Sequence, residues 1–343
     1  MDPVPWREAW HAALYAADRG FYVAGGGPAA HFTTATHGPS GAVLAAALLR
    51  LFARHHGALP AVVVDVGAGR GELVTHLQAV LDDPVEWALS PAPARGKVST
   101  RVVGVDVVAR PDGLDERVGW VRSPGGADLP ADLGGVADPL GDALVIAHEW
   151  LDVVPCVVAE VDRSGTLREV LVDPATGEEC AGGALAGPDL AWAQQHWQGG
   201  RPGSRVEVGR ARDEAWAGLV GRVRSGTLVA VDYGHLASGR PDGGTLTAYV
   251  SGRQVRPVPD GSCDVTAHVA VDSLDADGVS TQRGALQALG VWGRAPDHAL
   301  ARTDPQRYLA LLARAGAEGQ LLHPDGFGAF RWAVKRVDAG DLT

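Results

Sequence analysis

The stretch Val64-Asp65-Val66-Gly67-Ala68-Gly69-Arg70-Gly71-Glu72 constrains this chain more than any other. It ends a β-branched run over residues 61–66, the pattern of a central strand buried on both faces of a parallel sheet. Three alternating glycines follow, and then a helix is predicted over 72–81. Glycine lets a backbone turn sharply and approach a ligand with no Cβ in the way. Two kinds of cofactor use such a turn. A dinucleotide needs Gly-x-Gly-x-x-Gly, so that its diphosphate sits on the helix N-terminus. Here the third dinucleotide position is Glu72, a carboxylate where a diphosphate would lie, and the glycine comes one place early at Gly71. Together with Asp65 on the strand, this favours the methionine and ribose portion of S-adenosylmethionine over a nicotinamide dinucleotide. The next strand, Arg101–Asp106, ends in an acid, and Asp106 can accept hydrogen bonds from both ribose hydroxyls. An ordinary strand-to-helix turn and a solvated strand end are the plainer readings of these two features.

Further strands are expected at 118–122, 143–147 and 227–232, separated by helical or loop segments, and this β-α-β alternation argues for an α/β fold with a parallel sheet. Helices are expected at 6–17, 41–54 and 305–315, and a last strand at 327–337. Residues 83–100, rich in Pro, Ala and Ser, read as a loop insertion. Residues 157–225 read as a second insertion: a hairpin of 157–162 with 167–173, turned at Arg163-Ser164-Gly165, and then helices. The expected organisation is an N-terminal helical segment (1–60) that completes the cofactor site, a core of 61–156 and 226–343, and the insertion 157–225 as a substrate or partner region.

Composition narrows the function. Of 343 residues, 46% are hydrophobic, enough for a real core. The formal net charge of −11 repels phosphate backbones, so no nucleic-acid partner is expected. Cys156, Cys180 and Cys263 show no metal-ligand spacing, so neither a disulfide framework nor a metal is expected, and the compartment reads as reducing. The N-terminus lacks a basic region followed by an apolar core, and the longest apolar stretch, from Ala42, is broken at Arg50. A cytoplasmic protein without a membrane partner is expected.

Polar groups gather at other strand ends. His148, Glu149 and Asp152 follow 143–147, and Asp232-Tyr233-Gly234-His235 ends 227–232. Ligands of open parallel sheets lie beyond the carboxyl ends of the strands, which places these groups beside the cofactor. They also suit a helix cap and surface charges. In Asp264-Val265-Thr266-Ala267-His268, a helix would put Asp264 and His268 one turn apart on one face; a lone Asp–His pair is more often structural than catalytic.

In this order the motifs resemble the MidA-like methyltransferase family, which includes mitochondrial complex I assembly factors that act as protein arginine methyltransferases. The resemblance runs from about Ala12 to Lys335. It rests on Ala13-Leu14-Tyr15, Gly20-Phe21-Tyr22 and Phe32-Thr33-Thr34, the loop Asp65–Gly71, the segment His148-Glu149-Trp150-Leu151-Asp152-Val153-Val154-Pro155, Asp232-Tyr233-Gly234, Gly244-Thr245-Leu246-Thr247-Ala248-Tyr249, Asp264–His268 and Thr281-Gln282. The departures are His148 for Asn, Ala68 for Pro, Ala35 for Ser, and Asp106 for a Glu that is followed by Ser-Pro.

The resemblance implies a Rossmann-like class I methyltransferase sheet, mostly parallel with an antiparallel last strand, and with helical and hairpin insertions. It implies S-adenosyl-L-methionine as cofactor, held by Thr34, Asp65, Gly67, Gly69, Gly71, Asp106 and His148. It implies methyl transfer to a protein side chain, arginine by family, with Glu149, Asp152, Asp232, Asp264 and His268 as the catalytic candidates. A small-molecule hydroxyl or amine is the alternative acceptor, and a cofactor-binding assembly factor with little turnover is the alternative function. A homodimer is the assembly considered.

Overall fold

The computed structural model describes residues 2–24, 35–83, 87, 100–131, 133, 140–197 and 200–339. Its centre is a seven-stranded sheet. The strands are β1 (Val62–Val66), β2 (Arg101–Asp106), β3 (Gly119–Arg122), β4 (Ala143–His148), β5 (Gly226–Asp232), β6 (Gly278–Thr281) and β7 (Arg331–Val337). Across the sheet they run β6-β7-β5-β4-β1-β2-β3. The five from β5 to β3 are mutually parallel. β7 pairs antiparallel with β5, and β6 antiparallel with β7. The chain leaves β1 toward β2 and β3 on one side and returns to β4 and β5 on the other, which opens a crevice beyond the carboxyl ends of β1 and β4.

Alternating residues of β1 serve two cores. Val63 joins Leu44, Leu48 and Phe52 of the helix Gly38–His56 on one face. Val62, Val64 and Val66 join Trp216 and Leu219 of a helix spanning Arg210–Val220 on the other. Each leucine or phenylalanine fully buried this way stabilises the fold by roughly 1.5–3 kcal/mol. The helix Gly38–His56 runs beyond the expected 41–54 because Pro39 suits its first turn and Gly57, at φ 70°, closes it with a left-handed residue.

The insertion carries more β-structure than its sequence signals. The hairpin forms as Val157–Val161 with Leu167–Val172, and the Asp162 carboxylate accepts N–H bonds from Ser164 and Thr166 across its turn. Two unexpected strands, Glu179–Ala184 and Arg205–Val208, join it, and Val4–Pro5 adds a fifth. Cys180-Ala181-Gly182-Gly183 has no apolar alternation to announce a strand; Glu179–Ala184 is edge pairing with an irregular register beside Arg168 and Val170.

The helix considered for 264–268 does not form. Asp264–Thr266 is a strand, antiparallel to Thr247–Val250, with Asp264 opposite Tyr249 and Val265 opposite Ala248. The β-branched Val265 and Thr266 fit this pleated pairing better than a helix turn. No helix among the described residues is long and apolar enough to cross a membrane.

Candidate functional site

Gly67, Gly69 and Gly71 have φ of 75°, 58° and 83°, left-handed values that a side chain strains. A Cβ on Gly67 would meet Trp150 Cβ at 3.2 Å, so this glycine also permits close packing of the loops after β1 and β4. The Gly69 N–H donates to Asp106 Oδ2 at 2.8 Å, and the Val108 N–H to Oδ1 at 3.1 Å. The acid at the end of β2 therefore ties the glycine loop to its own strand. Burial pushes Asp106 up to about 6, against the pull of these N–H donors. Above the loop lies a cavity of about 480 Å³, lined among others by Gly67, Gly69, Asp106, Val107, Gly126 and Glu149. That is the size of a small-ligand site.

A second, smaller cavity of about 100 Å³ adjoins it, lined among others by Tyr22, Asp65, His148, Glu149, Asp152 and Asp264. It is an acidic chamber. Asp152 Oδ2 accepts the Thr266 hydroxyl at 2.8 Å, and Asp264 Oδ1 the Tyr22 hydroxyl at 2.6 Å. Asp232, buried beside it, spends Oδ2 on the N–H groups of Leu151 and Asp152, at 3.0 and 3.1 Å. Among the described residues, four buried carboxylate oxygens have no hydrogen-bond partner: Asp65 Oδ1, Glu149 Oε1, Asp152 Oδ1 and Asp232 Oδ1. His148 Nδ1 lies 3.3 Å from Glu149 Oε1, but the two are not aligned for a hydrogen bond. The buried Arg212 guanidinium donates to the carbonyls of Val154, His268 and Asp152, at 3.1, 2.8 and 2.8 Å; these bonds hold the loops, and the Arg212 charge draws Asp152 and Asp232 down against the effect of burial.

Burial and mutual repulsion hold the chamber acids above their ordinary range. Glu149 rises to about 8, through burial and then Asp152 and Asp264. Asp264 rises to about 7 through burial, opposed by the Tyr22 hydrogen bond. Asp65 and Asp232 are raised chiefly by burial. Burial lowers His148 to about 4, so its ring is neutral near pH 7.

Of the residues singled out from sequence, Asp65, Gly67, Gly69, Asp106, His148, Glu149, Asp152 and Asp264 line the two cavities. Asp232 supports the chamber from behind, and Gly71 closes the turn with its N–H on Ala68 O. Thr34 lies outside the described residues. His268 is exposed and does not sit one turn from Asp264; its ring stacks on Tyr233, with centroids 6.0 Å apart. Tyr22, Thr266, Trp150 and Arg212 were not among the candidates. Tyr22, Trp150 and Thr266 stand inside the quoted motifs, a signal that marked their neighbours. Arg212 lies in the insertion, in no motif, and nothing local reveals its carbonyl partners.

The residues fit S-adenosyl-L-methionine. The glycine cradle would be filled by a Cβ, Asp106 keeps acceptor capacity at the end of β2, and the unpartnered Asp65 and Glu149 oxygens suit a ligand that carries positive charge.

A family model, Methyltransf_28, described as "Putative S-adenosyl-L-methionine-dependent methyltransferase", matches residues 108–289, just over half of the chain. Two crystal structures of COG1565 superfamily proteins from Burkholderia thailandensis are similar. One, bound to S-adenosyl-homocysteine, has a TM-score of 0.71 at 21% identity; the other, native, has 0.68 at 21%. Each alignment covers 97% of this chain and 87% of the other. Likeness at this identity speaks to an α/β methyltransferase fold. No curated protein matches the chain.

Proposed function

The chain belongs to this family of S-adenosyl-L-methionine-dependent methyltransferases, and from that premise we propose that its methyl acceptor is an arginine side chain of a protein. The observation that carries the reading is the set of four buried carboxylate oxygens around the chamber that have no partner among the described residues. Burial keeps these acids protonated in the free protein, and a cation that enters can pair with them as they ionise, so such a chamber favours a cationic ligand. A guanidinium supplies five planar donors and pairs with carboxylates through two bonds at once. The order of the central strands, with β7 reversed, supports a Rossmann-like class I sheet. The three unpaired cysteines support a cytoplasmic setting.

The bound cofactor supplies an electrophilic methyl group on a sulfonium sulfur. Asp106 would hold the ribose hydroxyls, and the glycine loop would admit the chain of the ligand with no Cβ in its way. Asp152 and Asp264, oriented by Thr266 and Tyr22, hold the acceptor's non-reacting nitrogens. Glu149, which lines both cavities, takes the proton that the acceptor nitrogen gives up. The raised affinity of Glu149 for a proton suits that task. The insertion, whose helix Arg210–Val220 carries Arg212 against the chamber loops, is the region offered to the acceptor protein.

The test is incubation with methyl-labelled cofactor and a lysate of source cells that lack the protein. Label on an arginine of one or a few proteins is expected. Label confined to small metabolites, or to another side chain, contradicts the arginine reading.

A further inference from the structure

Tyr22, Gly67, Gly69, Arg70, Glu149 and Val153 line both the larger cavity and the acidic chamber. They form the boundary between the two. In a direct methyl transfer the reacting sulfur must face the acceptor, so it must face that boundary, wherever the rest of the cofactor lies. Two of the six carry charge. Arg70 is exposed. Glu149 is turned inward, and its Oε1 is buried without a partner.

The backbone gives an independent sign. Glu149 has φ 51°, one of three non-glycine residues with a left-handed backbone among those described. Such a conformation costs of order 1–3 kcal/mol and persists where the surroundings impose it, often at functional sites. Here the Glu149 N–H is held by the Val231 carbonyl at 2.8 Å, and the neighbouring Trp150 indole donates to Gly126 O at 3.1 Å. The strained residue is pinned from both sides, and its carboxylate is kept at the boundary.

We propose that Glu149 is the specificity-determining residue for the charge on the cofactor's sulfur, favouring the cationic S-adenosyl-L-methionine over the neutral S-adenosyl-homocysteine. In the reaction the acceptor N–C bond forms and the S–C bond breaks. The electron pair of the broken bond stays on sulfur, which becomes neutral, and the acceptor proton passes to Glu149. At that moment the carboxylate loses the cation it faced and is itself neutralised, so the attraction that held the substrate does not hold the product. The device favours product release and weak product inhibition.

The groups facing Glu149 set the pH range. His148 Nδ1 is 3.3 Å away and neutral. Asp152 and Asp264 raise its affinity for a proton; Asp232 and Tyr233 feel its charge in turn; Tyr22 and Arg70 share its boundary. In the free protein Glu149 ionises only around 8. Preference for the cation therefore grows as pH rises through that value. Binding gains about tenfold for each unit by which the cation pulls the acid down.

The experiment is calorimetric titration of the full chain with S-adenosyl-L-methionine, S-adenosyl-homocysteine and sinefungin, whose amine carries a cation where the sulfonium stands, from about pH 6 to about pH 9. Preference for the methyl donor over the product should widen to about tenfold across that range, with sinefungin following the donor. Glu149→Gln should erase the preference and leave product affinity within about twofold. Asp264→Asn, deeper in the chamber, should keep most of it. Equal affinity of the wild type for donor and product at the highest pH overturns the proposal, as does a preference that survives Glu149→Gln or is lost equally in Asp264→Asn. The wild-type pH series decides the matter even if the Gln variant does not fold. No acceptor is used, so an error about arginine would leave this result unchanged.

Discussion

Asp232 and His148 illustrate how much of the site depends on single polar atoms. Asp232 lies at the end of β5, where the chain alone suggests a cofactor or acceptor ligand. In the structure one of its oxygens holds the main chain of Leu151 and Asp152 in place. Asp232→Ala would leave two buried N–H groups unpaired, a cost of about 1–3 kcal/mol each at most. A lower midpoint in chemical denaturation and loss of methyl transfer are expected. Asp232→Asn keeps an oxygen for the same two donors and should retain most stability. If both variants lose turnover to the same degree at wild-type stability, Asp232 acts on the acceptor directly and not as a support. His148 stands where Asn is usual in the family it resembles. It is buried with Nε2 unpartnered, and the neutral ring leaves Glu149 without a fixed cation. That outcome depends on burial, which the residue's identity does not show.

At the scale of elements, the strand–loop–helix from Val62 to Asp82 was legible because its signals are local: a β-branched run, alternating glycines and an apolar helix face. The elements that complete the chamber were not. Asp264–Thr266 is short and defined by pairing with Thr247–Val250, and Arg212 finds its carbonyl partners across some sixty residues of chain. Such non-local choices override local propensity. The glycine loop gives a sharp test. Gly69→Val places a β-branched side chain at φ 58°, with Cβ 3.3 Å from Glu72 Oε2, at the wall of the larger cavity. Affinity for S-adenosyl-homocysteine should fall by well over tenfold, about 1.4 kcal/mol per factor of ten, with an unchanged far-ultraviolet circular dichroism spectrum. Gly69→Ala carries the same backbone strain with less bulk and should fall between. If both variants bind as the wild type does, the ligand does not approach this loop.

At the scale of the molecule, the acidic chamber couples ligand binding to stability. Asp106, Asp264 and Glu149 hold their protons more tightly folded, at about 6, 7 and 8, than as unfolded acids near 4. Above about pH 6.5 the native state therefore binds more protons than the unfolded state, and stability falls as pH rises from there to about 8; below it the buried His148 and half-buried His235, lowered to about 4, act in the opposite sense. Thermal midpoints of the free protein should decline from about pH 6.5 to about pH 8, and saturating S-adenosyl-L-methionine should flatten the decline. A midpoint that rises across the range for the free protein would show that these acids are not held neutral. The strand alternation made the α/β class legible, and the motif order made the family legible. The concentration of unpartnered carboxylates was not, because it arises where β1, β4, β5 and the Asp264 strand converge in space. The most direct measurement is a crystal structure with S-adenosyl-homocysteine. The ribose hydroxyls should lie on Asp106, and the sulfur should face Glu149 within about 4–6 Å of its carboxylate, the range in which a charge acts on a carboxyl group. A ribose remote from Asp106, or a sulfur directed away from the acidic chamber, would contradict the account.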